Sequence, residues 1–109
     1  MTTHLWRGDE RLAPAEVAAT RSARRRGLLG RDGIDGVLVL APARAVHTLG
    51  MRFELDVAFV DSSGAVVDTC RMARNRVGRP RWRARSVLEA EAGAFARWKL
   101  QPGDVVAIR

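Results

Sequence analysis

Apolar and polar residues alternate most regularly between Leu55 and Val67, where Leu55, Val57 and Phe59 interleave with Asp56, Ala58 and Val60. A period of two predicts a strand with one strongly apolar face. Asp61-Ser62-Ser63-Gly64 then supplies a turn, and Val66-Val67 opens a return strand over residues 65–72, so the whole reads as a β-hairpin. Asp56 interrupts the apolar run. A carboxylate there must be solvated, hydrogen-bonded or paired with a cation, and backbone amides or Arg52 are its expected structural partners.

The remaining pattern is also mostly strand. Gly36 to Leu40 is continuously apolar and is stopped by Ala41-Pro42, since Pro cannot continue a central ladder. Ser86 to Glu91 reads as a further strand, Val105 to Ile108 as the last, and residues 4–12, with Gly8-Asp9 as a turn, as a small hairpin or edge strand. Pro14 at a first helical position, Glu16 in the first turn and Gly27 after Arg24-Arg25-Arg26 predict a helix from Pro14 to Arg26. Ala92 to Lys99, holding Phe95 and Trp98, predicts one or two further helical turns. Gln101-Pro102-Gly103-Asp104 predicts a turn in which Gly103 takes a positive φ. The expected architecture is mainly β: a small antiparallel β-sandwich or partly open barrel with one N-terminal helix and a short second helix.

Composition narrows the picture. A chain of 109 residues, 47% apolar, fits one domain over residues 1–109 that needs no covalent staple. Its single cysteine, Cys70, excludes an internal disulfide and is expected to be a packed thiol. No window approaches a signal peptide or a membrane span, which implies a cytoplasmic location. The net charge of +7, carried by 18 arginines and one lysine, suits an anionic partner, nucleic acid or acidic protein. An arginine excess can also reflect genomic base composition, so position carries more information than number. Arg71 to Arg85 holds seven arginines and no acid, with Gly78, Pro80 and Trp82 among them. Such a segment must be largely exposed, because buried unpaired guanidinium groups are too costly. Arg81, Arg83 and Arg85 would share one face of an extended backbone, while Trp82 would stack on a base or cover a sheet edge.

Catalytic patterns are sparse. Gly27, Gly30, Gly33 and Gly36 lack the lysine and hydroxyl of a phosphate loop and read as turns. His4 and His47 are the only histidines and have no ligand spacing, so neither metal nor cofactor is expected. No serine lies on a glycine-flanked elbow, which argues against nucleophilic catalysis. Acid–base work by His47 and Asp56 competes with a structural hydrogen bond at Asp56.

Arg26-Gly27-Leu28-Leu29-Gly30, the stretch from Val46 to Val67, Val87-Leu88-Glu89, Gly93 and Gly103-Asp104 occur in an order and spacing that resemble the domain of unknown function 192 family. The resemblance covers about residues 26–108. It implies a β-rich fold and brings no established reaction. Where many relatives carry Trp-Met-Lys-Asn-Thr, this chain has His47-Thr48-Leu49-Gly50-Met51, so roles for that polar cluster do not transfer. Three classes of function follow. The first is a small binding domain with a ligand or peptide pocket around His47, Arg52 and Asp56. The second is an anion- or nucleic-acid-binding module using Arg74, Arg76, Arg81, Trp82, Arg83 and Arg85. The third is an assembly protein that pairs through a sheet edge.

Overall fold

The computed structural model describes residues 3–109. It contains strands β1 (His4–Arg7), β2 (Glu10–Ala18), β3 (Val37–Leu40), β4 (Leu55–Val60), β5 (Val66–Met72), β6 (Ser86–Glu91) and β7 (Ala107–Ile108), with helices α1 (Arg21–Arg26) and α2 (Ala94–Trp98). The strands form one mixed sheet in the order β5-β4-β6-β3-β2-β1-β7. All neighbours are antiparallel except β2 and β3, which need the crossover carried by α1. Ala65 bridges Val105, and the Val66 N–H donates to the Asp104 carbonyl at 2.8 Å. The two ends of the sheet therefore approach each other without zipping together, which gives a partly open barrel.

Curling divides the core between two faces. Leu5, Val37, Val39, Ala58, Val60, Leu88 and Ala90 pack with Val66, Phe95 and Leu100 on the concave side. On the outer side Leu38, Leu40, Leu55, Val57, Phe59 and Val87 lie beneath Leu28, Val46, Met51 and Ala84. β4 is buried along its whole length because it has strands on both edges and cover on both faces.

The N-terminal helix expected over Pro14–Arg26 is much shorter than that. Residues 14–18 belong to β2, and α1 spans Arg21–Arg26. Pro14 lies where β2 passes from one neighbour to the other: it pairs with His4 of β1, and Ala15 pairs with Val37 of β3. Its missing N–H and restricted φ suit that junction as well as they suit a first helical turn. Thr20 is the actual start signal, with its Oγ1 accepting from the Ala23 N–H at 3.1 Å. The return strand, β6 and α2 lie in the expected stretches, whereas the N-terminal hairpin, expected within residues 4–12, continues to Ala18; Gly103 has φ +97. Among the described residues no helix is long and apolar enough to cross a membrane.

Candidate functional site

The residues that the sequence singles out do not converge. Asp56 is on the concave side of β4, where its Oδ2 accepts from the Gly93 N–H at 2.9 Å and the Phe95 N–H at 3.1 Å. Its Oδ1 accepts from Arg71 Nε at 3.1 Å. Gly93, the residue preceding α2, offers no capping side chain, so Asp56 caps the helix from a distant strand. Backbone amides were expected partners, but the guanidinium that reaches Asp56 is that of Arg71, directly across the β4–β5 ladder. Arg52 instead pairs with exposed Asp32 at 3.1 Å. His47 is exposed on the outer side, where its Nδ1 accepts from the Leu49 N–H at 3.2 Å.

A second buried carboxyl has the opposite character. Glu89, in the middle of β6, pairs with Leu38 of β3 and Val57 of β4 and projects to the outer face. It is 3% exposed, and its Oε1 has no hydrogen-bond partner among the described residues. Burial pushes its pKa up to about 7, where the neutral acid and the carboxylate have similar populations. The group helps to line a cavity of about 330 Å³ between the sheet and the segments that cover it. Leu28, Leu40, Val46 and Met51 provide apolar walls, while Arg21, Arg24, Arg25, Arg26 and His47 also border the space. Gly27 has φ +51, and a Cβ there would lie 3.1 Å from Glu89 Oε1. The absence of a side chain at Gly27 therefore lets the chain pass close above the acid.

Glu89 was legible by the same logic that picked out Asp56. Val87, Glu89 and Glu91 alternate with Leu88 and Ala90, so an acid stands on a face that Val87 marks as apolar. The contribution of α1 and residues 43–51 to the walls had no comparable local signal. Thr48 was also unforeseen. It is fully buried; its Oγ1 donates to the Ala73 carbonyl at 2.6 Å and accepts from the Arg76 N–H at 2.9 Å. It thereby ties the cavity wall to the arginine-rich segment.

That segment lies mostly outside the core, with Met72 and Ala84 as buried anchors. The expected common face of Arg81, Arg83 and Arg85 does not form, because the chain turns at Trp82-Arg83 and the Ala84 N–H donates to the Arg81 carbonyl at 2.9 Å. Arg81 is committed inside the fold: its Nε donates to Asp68 Oδ2 at 2.8 Å, and its guanidinium lies 4.3 Å from the centre of the Phe59 ring. Trp82 covers no sheet edge, being 78% exposed. Arg74, Arg76, Arg79, Arg83 and Arg85 are exposed and form no ion pair among the described residues. Burial raises the Cys70 thiol pKa, which disfavours a reactive thiolate. No group of three or more His, Cys, Asp and Glu that could hold a metal ion occurs among the described residues.

The chain belongs to the DUF192 family, described as uncharacterized ACR, whose sequence profile matches residues 4–108. The match includes the β1–β2 hairpin as well as the stretches that carried the resemblance. A protein of unknown function from Novosphingobium aromaticivorans DSM 12444 has the same fold, with a TM-score of 0.82 and 21% identity over 98% of this chain and 84% of its own. A candidate transcription regulator from Sinorhizobium meliloti 1021 aligns with a TM-score of 0.80 and 21% identity over 97% of this chain and 91% of its own. At that identity both establish the fold alone. No curated protein matches the sequence.

Proposed function

We propose that this chain is a small-ligand-binding domain and that the ligand occupies the outer-face cavity against Glu89. The pocket expected around His47, Arg52 and Asp56 thereby becomes one in which His47 is a border residue and Glu89 the polar anchor. One observation carries the proposal: Glu89 lines a space of about 330 Å³ while its Oε1 is buried with no hydrogen-bond partner among the described residues. An unsatisfied buried polar group costs about 1–3 kcal/mol, and a perturbed carboxyl in a cavity is the expected mark of a binding or catalytic site. Asp56 provides the internal contrast, because both of its oxygens already accept hydrogen bonds from within the fold. Amide NMR with a mixed fragment library tests the proposal. Fragment-induced shifts should cluster at Leu28, Val46, Met51 and Glu89; shifts confined to other surfaces would overturn it.

A specific observation favours a second activity on another face. Trp82 is 78% exposed and lies in sequence among Arg79, Arg83 and Arg85, which are exposed and have no carboxylate partner among the described residues. Exposed aromatic surface combined with free guanidinium groups suits stacking on, and charge pairing with, a single-stranded nucleic acid. Either activity is compatible with a cytoplasmic domain whose one thiol stays reduced.

A further inference from the structure

The geometry points to an organic anion with an apolar body and a neutral polar tip as the ligand of the Glu89 cavity, the tip accepting a proton-bearing hydrogen bond from Glu89 and the anionic end meeting the α1 arginines. This assignment rests on the cavity being a ligand site, and it adds the class of ligand. Three features of the cavity, from its floor to its border, support it.

The floor offers one polar group in apolar surroundings. β3 presents Leu38 and Leu40, and β4 presents Val57, so no cation from either neighbouring strand faces Glu89. The charged or titratable groups around the cavity are Arg21, Arg24, Arg25 and Arg26 from α1 and His47 from the segment before β4. Glu91, on the same side of β6, has its Oε1 occupied by the Ile34 N–H at 3.1 Å. A carboxyl in such a place is best satisfied as the neutral acid, donating to a carbonyl or hydroxyl oxygen of the ligand. Its pKa of about 7 makes that form accessible at neutral pH.

The border selects charge. Arg24 is held by the Ala19 and Ala41 carbonyls. Arg21, Arg25 and Arg26 are exposed and have no ion pair or side-chain hydrogen bond among the described residues. Three uncommitted guanidinium groups attract a carboxylate or phosphate and repel an ammonium, on a chain whose net charge is already +7. A cationic ligand would find a suitable floor only after passing an unfavourable entrance. Between floor and border, Leu28, Leu40, Val46 and Met51 require an apolar body.

The test uses the full chain and three probes of matched chain length: ω-hydroxyoctanoate, octanoate and octylamine. Calorimetric titration at constant ionic strength from about pH 5.5 to about pH 8.5 should rank ω-hydroxyoctanoate first. Its affinity should fall by up to about tenfold per pH unit above about pH 7, because ligand and proton bind together. Glu89→Gln retains a neutral N–H donor and should keep the binding while losing the pH dependence. The pair Arg25→Ser and Arg26→Ser should weaken binding about tenfold or more and reduce its salt dependence. Tighter binding of octylamine, or loss of binding in Glu89→Gln, would show that the ionised carboxylate is the recognised form and would overturn the ligand class while leaving the cavity as a site. Equal, pH-independent binding of all three probes would also overturn the class. Absence of binding by every probe, together with no fragment shifts at the cavity, would overturn both the class and the site.

Discussion

Replacing Glu89 by Gln keeps the volume of the side chain and removes its titration, so the pair of proteins isolates the effect of one buried acid. The folded state holds the Glu89 proton up to about pH 7, whereas the unfolded chain releases it near the ordinary value of 4.5. A raised acid pKa means that the native state binds more protons between those values. Stability is therefore greatest below about pH 4.5, is lost progressively as pH rises to about 7, and stays lost above it. At about 1.4 kcal/mol per pH unit, the interval corresponds to about 3 kcal/mol, a large part of the stability of a small domain. Glu16 and Asp61 have lowered pKa values, from the Arg31 guanidinium and from Ser63 and Ala65 donors respectively. They act with the opposite sign at lower pH and are common to both proteins, so they cancel in the difference.

Urea unfolding at constant ionic strength from about pH 5 to about pH 8.5 gives the required comparison. The wild type should lose about 2.5 kcal/mol relative to Glu89→Gln across that range, equivalent to on the order of 10 °C in Tm for a domain of this size. Parallel stability curves would refute the reasoning, since they would mean that Glu89 ionises in the folded protein as easily as in the unfolded chain. An anionic ligand that binds the neutral acid should add most stability below about pH 7 and progressively less above it, so that it steepens the pH-dependent loss.

Asp56→Ala removes the acceptor for the Gly93 and Phe95 amides and should destabilise by about 2–4 kcal/mol in urea unfolding, with Asp56→Asn milder; an unchanged midpoint would exclude the capping role. Thr48→Val preserves shape but loses the bonds to Ala73 and Arg76, so it should cost about 1–3 kcal/mol and speed amide exchange in residues 73–78, whereas unaltered exchange would show that the wall and the arginine-rich segment are independently held. Replacing Arg79, Arg83 and Arg85 by Ser should flatten the salt dependence of single-stranded oligonucleotide binding by about 0.7 per lost contact, while Arg81→Ser should instead lower stability; a slope unaffected by the triple change would remove the nucleic-acid reading.

The strands were readable because their burial is written locally. Leu55 to Val60 and Ser86 to Glu91 each carry a period-two pattern that survives in the fold without a shift of boundary. The helix expected at Pro14 failed because its cues are degenerate: a Pro that suits a first helical turn also suits the position where β2 changes partners. The arginine-rich segment shows the same limit in its side chains. Counting charges correctly required exposure for most of the segment, but no local pattern distinguishes Arg81, paired with Asp68 and stacked on Phe59, from Arg83, which faces solvent. Those partners come from strands distant in sequence.

The two acids on the central strands show why a site is harder to read than a fold. Asp56 and Glu89 pose the same problem in sequence, an acid set among apolar strand residues, and nothing local separates them. The difference lies in what arrives from elsewhere. On the concave face α2 brings two unpaired amides to Asp56, and β5 brings Arg71. On the outer face Gly27 and Leu28 pass over Glu89 without supplying a donor to Oε1, and the α1 arginines stand at the border of the cavity. One acid thus completes a helix terminus, and its chemistry is spent within the fold. The other is buried beside open space with its Oε1 unpaired among the described residues, at a cost that a purely structural residue could avoid by being Leu. That cost is what directs the functional assignment to Glu89 rather than to Asp56.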